Sequence, residues 1–450
     1  MNLHSLSERL LKSLTPHRAR ALAIEHRWCQ RSGKISPYEF LFTALGQSSA
    51  LQLTLSAQAS ALSQPVTRQA IDQRYTPEAV SYFRAAFEEV LSAALERAVP
   101  SEMSRLVQRR FAAVRVFDST QCALAEDLSS LFPGCGGDAA GAGIKVLLSY
   151  DYGHGQVHPL AVLPAKRSDQ GLALTAAQTV GPDEIGLFDK GFYSAPAFRP
   201  IAERGGYFLV PWPHGVSVRQ TGPTGCLQPL ELAKVLEHVT ETRLDWRDII
   251  LGQNTKSQLG PVRLVASRLP EESASRRRAV LRENCRKQGR QVTAQALVLA
   301  GWLLLVTNAP AELLPSAAVG YLYRVRWQIE LVFKQCKSVL RMHVLPHSNV
   351  CRVQCELWAR LMLMLLTFVW YQHANAAALR LYDREISFAK VAKFLQQHGQ
   401  TMARALFAAR DTLHTEFRRI WNILLKLARK ERQPSRPTTW ENFCQHCLPT

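Results

Sequence analysis

Acid is scarce in this sequence. Of its 450 residues only 36 are Asp or Glu against 55 Lys or Arg, a formal charge of +19. Such a surface points to a polyanionic partner, because Lys and Arg gathered on one face release the counterions condensed on a phosphate backbone. Long apolar runs are also missing. The two most apolar stretches, 292–307 and 357–371, fall short of the roughly 20 residues a membrane span needs, and the second carries Arg360. Both read as buried elements of a soluble core, with no membrane partner. The segment Met1 to Arg9 has neither the apolar run nor the cleavage site of a secretory signal, so the chain reads as cytoplasmic. The ten cysteines follow no framework spacing, which excludes a disulfide scaffold. Cys444, His446 and Cys447 resemble half a zinc site, but no second pair of ligands lies near them. No G-x4-G-K-[ST] pattern is present, which argues against ATP-driven chemistry.

What is there divides the chain. Residues 1–105 read as helical and basic, with apolar residues at helical spacing in 37–45 and 77–87 and a short helix over 65–75 carrying Arg68 and Arg74. This region is either a small DNA-binding unit of helix-turn-helix type or a helical cap on the next domain. Over 106–211 the texture changes to apolar runs of strand length at 114–118, 144–150 and 157–163. A helix over 171–178, a strand at 185–189, a helix over 196–204 and a strand at 207–210 follow. Three antiparallel strands followed by helix–strand–helix–strand predict an α/β fold, a mixed sheet flanked by helices. Residues 212–308 read as a β-rich insertion, with strand-like pieces at 216–219, 235–244 and 262–269, a basic run over 276–290 and a closing strand at 302–307. A helix in 309–345 and a helical C-terminal region, 346–450, complete the chain.

Asp118 and Asp189 stand at the ends of two of the predicted strands. Alone, each reads equally well as a residue capping the next turn. The helix predicted over 317–340 shifts the balance. On it Tyr323, Arg326, Glu330 and Lys337 are spaced by 3, 4 and 7 residues, which at about 100° per residue confines them to one stripe about 60° wide. An aromatic ring, a guanidinium, a carboxylate and an ammonium interleaved beside a sheet that offers two aspartates suit a phosphodiester-cutting site. In-line attack develops charge on the entering and leaving oxygens, which two divalent ions can stabilise. Mg²⁺ takes oxygen ligands, hence carboxylates. Gathering them is costly, since two unit charges 4 Å apart repel by about 4 kcal/mol at an effective dielectric of 20, so cations must stand close by.

The spacing Tyr323-x2-Arg326-x3-Glu330-x6-Lys337, with Phe188-Asp189-Lys190-Gly191-Phe192 and Asp118-Ser119-Thr120, resembles the motifs of the DDE transposases of the insertion sequence 4 family. The sequence departs from that pattern only at Phe192, where Tyr is more usual. The resemblance covers about 110–345 and implies an RNase H-like core interrupted by a β-rich insertion. It also implies Asp118, Asp189 and Glu330 as catalytic, metal-binding residues. Mg²⁺ is the implied cofactor with Mn²⁺ as substitute, double-stranded DNA the substrate, and a homodimer on DNA the acting form. Trp302 resembles the aromatic on which some members stack a flipped base; its other reading is a core tryptophan in an apolar strand. Two further functions share such a core: a structure-specific nuclease that cuts without joining, and an immobile DNA-binding regulator, which a substituted acidic triad would favour.

Overall fold

The computed structural model describes residues 14–31, 33–48, 54–95, 110–136, 140–151, 156–222, 225–326, 330, 344–345, 349–382, 384–407 and 410–429. Lys337 and the Cys444, His446 and Cys447 cluster lie outside the described residues. The centre of the fold is a mixed sheet. Strands β1 (Val114–Leu124), β2 (Gly143–Asp151) and β3 (Gln156–Pro164) form an antiparallel meander. Strands β4 (Ile185–Leu187) and β5 (Tyr207–Pro211) run parallel to β1, giving the order β3-β2-β1-β4-β5. This is the RNase H-like layout expected above.

The β-rich insertion does not stand apart from that sheet. Its closing strand β10 (Trp302–Thr307) pairs antiparallel with β5, and β9 (Leu259–Arg268), β8 (Arg243–Leu251), β6 (Val218–Thr221) and β7 (Leu227–Pro229) continue outward. One insertion segment differs from expectation, and the basic run takes a defined form. The helix Leu232–His238, with Leu232 and Leu236 buried one turn apart, takes the first residues of 235–244, expected as a strand; the strand begins only at Arg243. The basic run lies mainly on a helix, Glu271–Lys287, opened by Glu271 and Glu272 and closed by Arg286 and Lys287, the charge order that a helix dipole favours.

Helices cover both faces. One face carries Asp169–Gln178 and Ala195–Glu203, whose Leu172, Ala176, Phe198 and Ile201 pack with Phe117, Phe188 and Phe208 of the sheet. The other carries the N-terminal helices and the long helix Val350–Tyr382, which share one core with Val116, Leu148 and Leu187. Phe87 and Trp358 join the N-terminal helices to the long one, with ring centroids 5.2 Å apart. The N-terminal region therefore has the packing of a cap. The long helix is apolar enough to cross a membrane by composition, but 72% of its apolar window is buried inside the fold. Its far end packs with Phe388–Phe407 and Arg410–Leu427 in a third cluster.

One buried arginine ties the insertion to the helix Ser316–Val325. Arg263 on β9, 6% exposed, pairs with Asp245 on β8 at 2.6 Å. It also donates to the carbonyls of Ala309 and Leu314 at 2.8 and 2.9 Å, fixing the loop that starts the helix.

Candidate active site

Strand pairing brings the two aspartates together. β1 and β4 are in register at Val114 with Ile185, Arg115 with Gly186 and Val116 with Leu187. Two steps further along, that register sets Asp118 abreast of Asp189. The intervening pair, Phe117 and Phe188, stack with centroids 4.7 Å apart and planes 14° from parallel. Side chains alternate across a strand: Val116 and Leu187 face one core, Phe117 and Phe188 the other. Asp118 and Asp189 thus return to the first face, where Ala318, Val319, Leu322 and Val325 seat the helix Ser316–Val325. The strand expected to reach Asp189 ends at Leu187. Asp189 instead caps a single 3-10 turn, Lys190–Phe192, and accepts a hydrogen bond from the Gly191 N–H at 3.4 Å.

The helix contributes the remaining groups. Arg326 closes Ser316–Val325 with αR backbone, and its N–H donates to the Tyr323 carbonyl. Glu330 is again helical. The Arg326 guanidinium pairs with Glu330 Oε1 at 2.6 Å and lies 3.7 Å from Asp189 Oδ1. It stands 5.4 Å from the centre of the Tyr323 ring, and its Nε is buried without a hydrogen-bond partner. Four of the expected residues, Asp189, Tyr323, Arg326 and Glu330, are therefore in direct contact, with Asp118 beside them.

Electrostatics follow from this packing. Burial is the main reason the Asp118 carboxyl is pushed up to about 6; the Ser119 N–H and Arg326 oppose the rise, and Asp189 and Glu330 add to it. The Ser119 N–H bond to Asp118 Oδ1 measures 2.8 Å. Burial opposes the Arg326 charge, but Tyr323, Asp189 and Glu330 outweigh it and raise its pKa. Burial likewise pushes the Tyr323 phenol up. Burial holds His214 below the usual imidazole range, and Lys190 and Arg277 lower it further.

Two carboxylates on one guanidinium, with Asp118 within its electrostatic reach, are oxygen donors of the kind a hard divalent cation takes, and Arg326 supplies the positive charge that such a gathering requires. Among the described residues no three acids, imidazoles or thiols stand close enough to share one ion, because Arg326 lies between Asp189 and Glu330. The donor set fits a metal; its grouping here is the one a guanidinium imposes.

Trp302 does not join this cluster. It is 5% exposed and packs among Phe208, Leu264 and Val306. The Arg268 guanidinium covers its ring at 4.7 Å, and its carbonyl accepts from Arg277 at 3.3 Å. In this arrangement the ring is a packing element, closed to a base. One group near the site was missed by sequence reasoning: Lys145 on β2 and Asp169 at the start of its helix, an ion pair of 3.2 Å beneath Ser119. The lone Lys in the run Ile144-Lys145-Val146-Leu147 was the available signal, since a buried Lys needs a partner.

A family model described as a transposase DDE domain matches residues 109–366. Over 98% of its length the chain is 24% identical to the transposase of insertion sequence element IS231B of Bacillus thuringiensis subsp. berliner, covering 95% of that relative. It is also 24% identical to the transposase of element IS1151 of Clostridium perfringens, over 90% of this chain and 88% of the relative. A piggyBac transposase, solved as a synaptic complex with hairpin DNA, aligns over 92% of this chain and 82% of its own at a TM-score of 0.41 and 12% identity.

Proposed function

The chain belongs to the DDE-domain transposases, and from that premise we propose that it cuts and rejoins the ends of a mobile element through Asp118, Asp189 and Glu330, by a cut-and-paste route. It is an insertion-sequence transposase, an enzyme acting on DNA. The observation that carries the site assignment is the convergence of Asp118 on β1, Asp189 just past the parallel strand β4 and a helix-borne glutamate around one guanidinium. The acidic triad is unsubstituted, which speaks against an immobile DNA-binding regulator.

The three carboxylates would hold divalent ions, Mg²⁺ with Mn²⁺ as substitute; when bound, such ions stabilise charge on the entering and leaving oxygens of an in-line displacement. Asp118 would provide one oxygen donor from β1, Asp189 a second from the turn that follows β4, and Glu330 the third from the helix. Arg326 pairs with Asp189 and Glu330. Arg326 would hold a non-scissile phosphate of double-stranded DNA, and Lys337 takes the same role from its spacing in the sequence alone. Tyr323 packs against Arg326 and restrains its guanidinium. The N-terminal region is the second DNA contact in this reading, through exposed Arg68 and a cleft lined by Lys34, Gln73 and Arg74. A homodimer on DNA would give each element end its own active site.

The experiment that tests the function is incubation of the purified protein with its flanking genomic DNA and Mg²⁺. Cleaved ends joined to new target DNA are expected; cutting with no joined product would leave a nuclease instead. In salt titrations Arg326→Ala weakens DNA binding and lowers the log–log slope by about one unit for the lost phosphate contact. An unchanged slope would remove Arg326 from the DNA interface.

The raised Asp118 carboxyl predicts a pH dependence. In the metal-free protein the folded state holds this proton more tightly than the unfolded chain. Its stabilising contribution is therefore complete below the ordinary value of 3.8 and lost as pH rises through about 6. A metal ion needs the carboxylate, so proton and ion compete. At limiting Mg²⁺, cleavage falls as pH drops through about 6, and saturating Mg²⁺ moves the midpoint lower. Identical pH profiles at both concentrations would contradict this role for Asp118.

A further inference from the structure

Lys145 is the least expected side chain on the central sheet. It sits in the apolar strand β2 with its side chain only 6% exposed. Its ammonium donates to the Arg167 carbonyl at 2.6 Å and to Asp169 Oδ1 at 3.2 Å. The same Asp169 oxygen accepts from the Ser119 hydroxyl at 2.6 Å. Ser119 directly follows Asp118 on β1, and its N–H is the one that holds the Asp118 carboxylate.

The other side of Asp169 faces the second aspartate. A methyl group placed on Gly191 would lie 3.5 Å from Asp169 Oδ2 and 3.9 Å from Asp189 Oδ2, so both carboxylates stand close to Gly191. Gln170, the next residue of the same helix, donates to the Tyr193 carbonyl at the end of that turn at 3.4 Å. The first turn of Asp169–Gln178 thus touches β1 beside Asp118, β2 through Lys145, and the turn that Asp189 caps. It does so from the opposite face of the sheet to the three acids, since Ser119 points away from Asp118.

Resting on the assignment of Asp118 and Asp189 as metal ligands, we infer that Asp169, neutralised by Lys145, is a positioning residue that sets the separation of those two carboxylates. β1 and β4 pair only as far as Leu187, and Phe188 bonds to Leu209 of β5 instead, so the register carries Asp189 abreast of Asp118 with no ladder bond between the two. The first turn of the helix that Asp169 starts links the two sides, through Asp169 to Ser119 and through Gln170 to Tyr193. A ligand pair held at the right spacing binds its ion without first being ordered, and partners behind the ligands commonly set metal affinity by about 10–100-fold.

The test measures Mn²⁺ binding to the protein–DNA complex by the loss of the free-ion electron paramagnetic resonance signal, beside metal-free thermal melting. Three variants are compared: Ser119→Ala, which cuts the tie to β1 and keeps the ion pair; Asp169→Asn; and the double variant Asp169→Asn with Lys145→Met, which removes the buried pair together so that no charge is stranded. The expected result is an Mn²⁺ dissociation constant raised about tenfold or more in Ser119→Ala and in the double variant, with DNA affinity unchanged. If Asp169→Asn alone melts early because Lys145 is left unpaired, the other two still report. Mn²⁺ affinity equal to the unmodified protein in both would overturn the inference and leave the pair a structural filler. Asp189→Asn is the control for the premise: if it too binds Mn²⁺ normally, the ligand assignment itself falls, whereas lost binding there with normal binding in Ser119→Ala and the double variant rejects only the positioning role.

Discussion

Asp189→Asn stops strand cleavage while DNA binding holds or tightens. The substitution preserves size and the capping geometry, since the amide oxygen still accepts from the Gly191 N–H at the head of the Lys190–Phe192 turn. What is lost is one anionic oxygen donor. Metal stabilisation of the developing charge is worth several kcal/mol. Taking about 4 kcal/mol, at 1.36 kcal/mol per decade, the rate falls about a thousandfold. Binding moves the other way for a Coulombic reason: one negative charge facing phosphate is gone, and Arg326, released from its 3.7 Å approach to Asp189, has a carboxylate fewer to satisfy. Gel-shift and nicking assays on one element-end duplex separate the two effects. An Asp189→Asn protein that nicks at the unmodified rate, or that loses DNA affinity in step with activity, would sink the assignment of Asp189 to the chemistry.

The legible parts of this fold are those where one local period dominates. The strands of the β1–β5 sheet are short apolar runs bounded by turn residues, and the stripe of Tyr323, Arg326 and Glu330 follows from 3.6 residues per turn. The convergence of Asp118 and Asp189 is legible only once β4 is placed beside β1, because 71 residues separate them and the register is a tertiary fact. Elements failed where two periods compete. The segment Leu232–His238 has Val and Leu enough for a strand, but Leu232 and Leu236 find one buried face as a helix. Residues 292–307 form one apolar run in sequence, yet Gly301 divides it into the helix Ala294–Ala300 and strand β10. The Lys145–Asp169 pair was illegible for a different reason. Its partners lie 24 residues apart on a strand and a helix start, and only the crossover that lays the helix on the sheet makes them neighbours.

Trp302→Ala tests the one expected DNA contact that the fold places elsewhere. The ring fills the junction of β10 with β9, beside Arg268, its register partner. Truncation leaves a cavity, and burying a tryptophan in such a core is worth about 3–5 kcal/mol. Because β10 is the strand that joins the insertion to β5, the loss reaches the loop Arg263 anchors and so the helix bearing Arg326. The expected outcome is a large fall in melting temperature, with first- and second-strand cuts lost equally, and with most stability recovered in Trp302→Phe. Stacking a base pulled from the duplex would give another pattern. It is worth about 1–3 kcal/mol per base and would spare the first nick while slowing only the step that needs a distorted strand. To act that way the indole must leave its pocket and shed the Arg268 guanidinium 4.7 Å away, exposing the same cavity that truncation creates. A variant with unchanged melting and a selective second-strand defect would therefore show that β10 opens during the reaction, and would return Trp302 from the core to the DNA.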